Sequence, residues 1–357
     1  AQDILQSLST TAALITLILL LPLLNKQIRR LLETWVAKLH LMIVMKLRNP
    51  SQGQNISTVS GLFIHPIKSL QAVELETAEI DEYGFVYDRR LMLVCPRNPP
   101  AYGFLPSDAT HRFITQRQCP KLATVKASYG NDQTIFVSCH EKTLTIRLNY
   151  QTAHHSVLRA RLWDNDVQVL DLGDEAAVFF QDIVGYQDES LQNIRLVYQT
   201  SPLYAPDEYV PPEARTIWGC CPKSSLTDGF PVLVACESSL QEVNRRLVAK
   251  GKDPIPMNRF RPNIVIRNTK PFEEDTWKTI RIGTTAVVHI VKGCPRCKQS
   301  CTDQQTGHVS DEPLTTLADF RAVRGGSDDV YFAQNAILYG HSISKGDVVT
   351  IIKQGTP

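Results

Sequence analysis

The sequence predicts a β-rich α+β fold, and three observations support this prediction. From residue 59 onward the chain contains many short apolar runs of strand length, separated by Gly, Pro, Asn and Asp. Helical periodicity is confined to a few segments, which is not the pattern of a repeating βαβ chain. No Gly-rich phosphate loop follows a strand, so the sequence contains neither a P-loop nor a dinucleotide-binding fingerprint.

Length, charge and cysteine usage exclude several classes of protein. The 357 residues suffice for one large domain or two medium ones. A formal net charge of +2 argues against a nucleic-acid binder, which needs clustered Lys and Arg. The nine cysteines are an odd number at irregular spacing, unlike a secreted disulfide scaffold. We therefore expect reduced thiols in a cytosol-facing protein.

The first predicted element is a transmembrane signal-anchor over residues 1–25. Residues 4–24 carry no charge and, as a helix, would reach about 30 Å, the thickness of a hydrocarbon core. Only Asp3 precedes this segment, whereas six cations follow it, which places the bulk of the chain in the cytosol. These cations are Lys26, Arg29, Arg30, Lys38, Lys46 and Arg48. A cleaved signal peptide and a buried core helix are the alternatives.

Residues 26–56 are predicted to form an amphipathic helix followed by a linker. The linker is the polar stretch Asn49–Ser57. The helix lies either on the membrane surface or against the main domain. Its apolar positions recur at helical spacing and are Ile28, Leu31, Leu32, Trp35, Val36 and Leu39.

The remaining elements are short strands and three helices. Helices are expected at Glu175–Val184, Ser239–Val248 and Leu314–Val323, the second opened by a capping box between Ser239 and Glu242. Gly283 begins a predicted hairpin connection, and Cys95, Cys139 and Cys236 end apolar runs as buried small hydrophobes. Strands are predicted at 59–64, 91–95, 134–139, 143–148, 194–198, 231–236, 262–268, 280–283, 286–291 and 347–352.

The motif with the most chemical content is Cys294-Pro295-Arg296-Cys297, directly after a strand-like run. A CxxC pair has three common roles: half of a zinc site, a redox dithiol, or one ligand cysteine beside a structural neighbour. Cys301 and His308 are possible further zinc ligands at a non-standard spacing. The spacing alone leaves these alternatives open.

Basic and hydrogen-bonding residues also recur at the ends of predicted strands. Such residues beside a reactive cysteine suit an anionic, phosphate-bearing ligand. For any one of them a solvated surface charge is the simpler explanation, but that explanation is weak for all of them together. They are Lys68, Ser69, Arg89, Arg117, Arg259, Arg261 and Asn263.

Taken in order, the motifs HPIKSL, YDRRLMLV, TQRQCPKLA, TDGFPVLV, NRFRPNIVI and CPRC make the sequence similar to the MOSC family with its N-terminal β-barrel region. Within that family it resembles the mitochondrial amidoxime reducing components. The resemblance runs from about residue 57 to the C-terminus. It implies an N-terminal β-barrel region at 57–185 and a β-barrel MOSC domain at 186–357.

The resemblance also implies a role for each site residue. Cys297 would be the molybdenum ligand, and Arg296 would lie against the cofactor. Asp228 and Gly229 would form part of the pocket wall. Asn335 stands where some relatives have tyrosine, and Pro295 where some have serine. The pterin of the molybdenum cofactor (Mo-molybdopterin) would be held by Lys68, Ser69, Arg89, Arg261 and Asn263.

The activity implied by the resemblance is reduction of N-hydroxylated compounds such as amidoximes and hydroxylamines. Electrons would come from NADH through cytochrome b5 reductase and cytochrome b5, and no iron–sulfur cluster is expected in this chain. The resemblance further implies a single-pass protein of the outer mitochondrial membrane with its catalytic domain in the cytosol. The alternatives are a cofactor carrier or persulfide sulfur-transfer protein, and a non-catalytic scaffold with a structural zinc.

Overall fold

The computed structural model describes residues 26–47, 57–97, 107–130, 134–148, 156–322 and 329–355. The chain divides into two compact units. The first consists of Ala1–Asn49 and Asp207–Pro222, and the second of Pro50–Pro206 and Lys223–Pro357. Each unit is discontinuous in sequence, because residues 207–222 leave the second unit and join the first.

The first unit contains helix α1 (Lys26–Leu47), which packs against a short 3-10 turn at Pro212–Ala214. Asp207 accepts hydrogen bonds from the guanidinium groups of Arg30 and Arg215. Gly219 has a φ of +73°, and a Cβ at this position would lie 3.4 Å from the backbone nitrogen of Leu31. The helix and residues 207–222 are therefore held by packing, ion pairs and a close backbone approach.

The second unit is rich in β-strands, and most of its longer strands coincide with runs of β-branched or other apolar residues. Strands β1–β7 are Thr58–Ile64, Val73–Leu75, Thr77–Asp81, Gly84–Phe85, Leu91–Pro96, His111–Phe113 and Lys126–Tyr129. Strands β8–β14 are Thr134–Cys139, Lys142–Arg147, Val157–Leu162, Asn165–Asp171, Arg195–Gln199, Leu203–Tyr204 and Lys223–Ser224. Strands β15–β21 are Val232–Cys236, Ile264–Arg267, Trp277–Ile282, Ala286–Arg296, Val330–Tyr339, Ser342–Ser344 and Val349–Gln354.

Two sheets dominate this unit. Strands β10-β11-β12-β5-β6 form a closed five-stranded barrel, which confirms the predicted β-barrel, although its strand β12 lies beyond the predicted boundary at residue 185. An eight-stranded sheet has the order β2-β1-β16-β15-β19-β18-β17-β21. Strand β1 pairs antiparallel with β16, so Leu62 lies opposite Ile264 across two hundred residues of sequence. The first strands of the N-terminal half therefore belong to the sheet of the C-terminal half.

Separate apolar cores fill these sheets. The barrel encloses Met92, Val94, Val167 and Val197, all almost fully buried. The eight-stranded sheet covers a larger core that includes Trp277. Burial of this apolar surface is the main source of stability and fixes the loops at the ends of the strands.

Three further helices lie at the predicted places: α2 (Asp174–Val184), α3 (Glu237–Ala249) and α4 (Leu314–Arg321). The predicted capping box of α3 is wrong, because the helix already begins at Glu237. The Ser239 hydroxyl donates instead to the buried Glu274 carboxylate at 2.8 Å. Glu242 pairs with Arg245 and Arg246 on the helix surface. A local sequence signature was overruled here by tertiary contacts.

Several sequence predictions are confirmed. The Gly283 connection joins β17 and β18 as a hairpin, with Ile282 opposite Ala286. Cys95, Cys139 and Cys236 are buried. Helix α1 also forms where the amphipathic helix was predicted. The expected membrane anchor at residues 4–24 lies outside the described residues. Within the part of the chain that is described, no helix has the length and apolar character needed to cross a membrane.

Candidate functional site

A pocket of about 180 Å³ collects nine of the ten residues that the sequence analysis selected. Loops and strand ends from both halves of the sequence supply them. The loop after β1 contributes two of these residues, the loop before β5 one, and the segment before β16 two. The end of β18 contributes two more. In full they are Lys68, Ser69, Arg89, Asp228, Arg261, Asn263, Arg296, Cys297 and Asn335.

Three residues of the pocket have left-handed backbone conformations. Ser69, Arg89 and Arg261 have φ values of +71°, +50° and +55°, which are uncommon for residues with a Cβ. Such conformations cost of order 1–3 kcal/mol each and cluster at binding sites, where the surrounding structure enforces them. The backbone of the pocket is therefore arranged for ligand contact at some cost in stability.

Lys68 is buried and reaches across the pocket. Its Nζ donates to the carbonyl oxygen of Leu226 at 2.9 Å and to Oδ1 of Asp228. Burial lowers the pKa of Lys68, while the Asp228 carboxylate opposes this shift. Burial raises the pKa of Asp228, but the Lys68 and Arg117 cations and the hydrogen bonds from Lys68 and Trp163 outweigh this effect and lower its pKa. Asp228 is therefore an ionised partner of Lys68 at the edge of the pocket.

Arg89 and Asn263 are held by hydrogen bonds to neighbouring protein groups. Arg89 pairs with the buried carboxylate of Asp88 and donates to Oδ1 of Asn263 at 3.3 Å. The Asn263 amide also accepts from the Leu233 backbone N–H at 3.1 Å and donates to the Phe63 carbonyl at 3.0 Å. Asn263 thus fixes the strand ends that carry the cations.

Arg261 and Arg296 keep unpaired donors in the pocket. Arg261 Nη1 donates to the Leu70 carbonyl at 2.6 Å, but its buried Nη2 has no partner among the described residues. Arg296 donates through Nη2 to the Phe260 carbonyl and through Nη1 to Cys294 Sγ, but its buried Nε has no partner among the described residues. Buried donors in native proteins are almost always satisfied. These two atoms indicate an acceptor-bearing ligand.

The charges of the pocket also fit an anion. The lining contains five cationic side chains and one carboxylate, that of Asp228. Burial and the neighbouring Arg89 cation lower the pKa of Arg261 to about 9. A bound anion would relieve this repulsion, because opposite charges at short range favour the charged form. The pocket therefore fits a phosphate-bearing anionic group.

Cys297 directly follows β18 and is exposed to solvent. Cys294 is partly buried, and its Sγ accepts a hydrogen bond from Arg296 Nη1 at 2.8 Å. The two thiols of the CxxC motif therefore have different surroundings, and the exposed one is available to a soft metal ion. Across the described part of the chain, no three His, Cys, Asp or Glu side chains form a metal-binding group. Cys294, Cys297, Cys301 and His308 therefore do not form the zinc site considered above.

Arg117 and Arg259 differ from the other strand-end cations. Arg259 donates to the carbonyls of Ser300, Cys301 and Glu312, so its guanidinium stabilises the chain after Cys297. Arg117 lies in a second, adjacent cavity, which also contains Gly229.

Trp163 was not among the predicted site residues, but it lies in the same second cavity, at the turn between β10 and β11. The available signal was Asp164, a turn-forming residue that together with Trp163 makes the two-residue connection between these strands. Neither 157–162 nor 165–171 was among the predicted strands, so the hairpin was missed.

His65 makes the stability of the fold sensitive to acid. Burial and the nearby cations Arg89 and Arg261 hold the pKa of His65 well below 6.5, against the opposing effect of Asp88. The folded protein therefore keeps the imidazole neutral, whereas the unfolded chain binds a proton below about pH 6.5. Because the unfolded state then binds more protons, the free energy of unfolding should decrease below pH 6.5 by up to about 1.4 kcal/mol per pH unit.

Urea denaturation of the wild type and His65→Gln between pH 7.5 and 5.5 measures this effect. We expect the pH dependence of the variant to be shallower than that of the wild type. Replacement of the exposed His308 by glutamine should leave the wild-type slope unchanged. Equal slopes for the wild type and His65→Gln would contradict the prediction.

Comparisons with known proteins agree with this architecture. Residues 56–187 match the MOSC N-terminal beta barrel domain, and residues 222–350 match the MOSC domain. The chain is 30% identical to mitochondrial amidoxime reducing component 2 of Bos taurus, over 85% of this chain and 83% of that protein. Identity to mitochondrial amidoxime-reducing component 1 is 30% for Danio rerio and 25% for Homo sapiens. These matches cover 81% and 84% of this chain, and 82% and 85% of those proteins.

The fold and the pocket thus define a protein with a MOSC N-terminal barrel and a MOSC domain. The chain belongs to the MOSC-domain family that includes the mitochondrial amidoxime reducing components.

Proposed function

We propose that the chain is a molybdenum-cofactor-dependent reductase of N-hydroxylated compounds, including amidoximes and hydroxylamines. The observation that carries this proposal is the position of the exposed thiol of Cys297. It lies where the cationic pocket meets the second cavity, since Cys297 lines both. The names of the relatives support the same activity.

The described residues fit the cofactor. Cys297 would ligate molybdenum, which thiolates bind well, while Lys68, Arg89, Arg261 and Arg296 would hold the anionic pterin part. Ser69 and Asn335 line the same pocket, and Asn263 positions Arg89. The unpaired Nη2 of Arg261 and Nε of Arg296 are the donors that such a group would satisfy.

The protein contributes binding and positioning to the reaction. When bound, the cofactor supplies the two electrons with which R–NH–OH and two protons give R–NH2 and water. Thr227 and Asp228, which line both cavities beside Cys297, would place the oxygen-bearing end of the substrate next to the Cys297 thiol. Positioning of this kind accounts for a large share of the rate enhancement in enzymes.

Electron supply is part of the proposal. We propose that NADH reduces the enzyme through cytochrome b5 reductase and cytochrome b5. The decisive assay combines the purified full chain with these two proteins, NADH and benzamidoxime, after measurement of its molybdenum content. We expect NADH oxidation with formation of one benzamidine per NADH. Molybdenum-loaded protein that forms no benzamidine would contradict the proposal. Sulfane sulfur on Cys297 without molybdenum would favour the sulfur-transfer alternative.

Attachment to the outer mitochondrial membrane through residues 4–24, with the catalytic part in the cytosol, is also proposed. It is supported by the charge-free sequence of that segment and by the mitochondrial names of the relatives. Protease treatment of intact mitochondria should digest the enzyme if this is correct. Recovery of the protein with endoplasmic-reticulum membranes would contradict it.

A further inference from the structure

A second cavity of about 360 Å³ adjoins the cationic pocket. The two share Thr227, Asp228, Pro295 and Cys297, so a ligand in the second cavity reaches the proposed metal ligand directly. Its wall differs in charge from that of the first pocket, because it contains one cation, Arg117, where the first pocket has five. It also includes the aromatic side chains of Trp163 and Tyr204. We call this second cavity the vestibule.

Trp163 is fixed in the vestibule wall by three neighbours. Its Nε1 donates to Oδ1 of Asp228 at 3.0 Å, and the Arg117 guanidinium lies 4.6 Å from the ring centroid. The Phe113 ring packs against it at 5.0 Å in an edge-on geometry. The side chain nevertheless remains 43% exposed. An aromatic surface that is held in place and left open to solvent is suited to contact a ligand at low entropic cost.

The carboxylate of Asp228 adds a directed acceptor. Its Oδ1 accepts hydrogen bonds from Lys68 and Trp163. Its Oδ2 lies 3.6 Å from Arg117 Nη2, which is beyond hydrogen-bond distance. The buried Nε of Arg117 also has no hydrogen-bond partner in the described part of the chain. The vestibule therefore offers an acceptor at Oδ2 and a donor on Arg117, next to an aromatic surface.

From this arrangement we infer that Trp163 is a specificity-determining residue, which makes the vestibule select aryl-substituted over alkyl-substituted compounds within the proposed substrate class. The aryl ring contacts Trp163, and the amino group bound to the amidine carbon donates a hydrogen bond to Asp228 Oδ2. The N–O group then lies toward Cys297. A small hydroxylamine gains nothing from the aromatic wall, because it has too little apolar surface. This inference rests on the proposed function and names the substrates that the same site selects.

The test compares benzamidoxime with acetamidoxime, which share the reacting group and differ in the aryl ring. In Trp163→Ala we expect the ratio of kcat/KM for benzamidoxime to that for acetamidoxime to fall about 10-fold, mainly through KM. Trp163→Phe should restore much of the ratio, since it keeps an aromatic ring. Trp218→Ala is the matched control, because Trp218 is 74% exposed and belongs to the other compact unit. It should leave the ratio unchanged.

Equilibrium binding separates this inference from the proposed reductase activity. Calorimetric titration of the two amidoximes into the cofactor-containing protein, without NADH, requires no turnover. We expect benzamidoxime to bind more tightly than acetamidoxime to the wild type and to lose this advantage in Trp163→Ala. Equal affinity of the two compounds for the wild type would overturn the inference. An equal loss for both compounds in the variant would also overturn it, because Trp163 would then act only through Asp228 and Lys68. Selective binding without reduction would leave the vestibule in place and refute the reductase.

Discussion

Replacing Cys297 by alanine is expected to abolish molybdenum-dependent reduction of amidoximes. The variant loses the thiolate that the proposal assigns to the metal, while the fold should persist because the residue is exposed. Loss of a group that only supports a metal ligand lowers metal affinity or activity about 10-fold to 100-fold. Loss of the ligand itself should therefore lower turnover more than about 100-fold. Molybdenum content per folded protein and benzamidine formation measure the effect together.

Cys220→Ala is the matched control for this variant, since Cys220 is an exposed thiol in the other compact unit. It should keep full metal content and activity. Cys294→Ala tests the neighbouring thiol of the CxxC motif, which accepts a hydrogen bond from Arg296. We expect a smaller loss there than for Cys297. Wild-type activity of Cys297→Ala would refute the metal assignment.

Arg261→Gln should have the next largest effect. The guanidinium is buried, its Nη2 is unpaired, and it faces the pocket beside Arg89. A hydrogen bond to a charged partner contributes about 1.5–3 kcal/mol, so cofactor affinity should fall by about 10-fold to 100-fold. Arg261→Lys should rescue little, because an ammonium group cannot reproduce the planar fork of guanidinium donors.

Cofactor release during dialysis, measured as pterin and molybdenum per folded protein, is the readout for Arg261. Arg245→Gln is the control, because Arg245 is an exposed arginine on helix α3 that pairs with Glu242. Its side chain is 65% exposed, so the change should affect neither cofactor nor stability by a measurable amount. Retention equal to that of the wild type in Arg261→Gln would show that the unpaired Nη2 does not contact the cofactor.

Much of the fold follows from local pattern. The apolar runs at 91–95, 231–236 and 286–291 became strands because each contains enough β-branched and apolar residues to fill a buried sheet. Their partners, however, depend on contacts far apart in sequence. No local signal shows that β1 pairs with β16, and a capping box could not compete with the buried pair of Ser239 and Glu274.

The candidate site likewise combines features that local sequence predicts with features that depend on contacts distant in sequence. Cations at strand ends predicted an anion-binding pocket, and the structure brings those selected as site residues together. Their individual roles depend on partners that only the fold supplies. Arg259 is satisfied by backbone carbonyls, whereas Arg261 keeps a free donor two residues later. Trp163 was not predicted because no local signal shows that the turn between β10 and β11 lies beside Asp228 and Cys297.

The discontinuous first unit has a consequence for shortened forms of this protein. Helix α1 packs against residues 212–214, and its Arg30 pairs with Asp207. The helix therefore supports the segment 207–222, which comes from the middle of the chain. A chain that begins after residue 49 would leave this segment without the helix that supports it. Such a chain would also lack the ion pair between Arg30 and Asp207, so residues 26–47 should be kept in any shortened form of this protein.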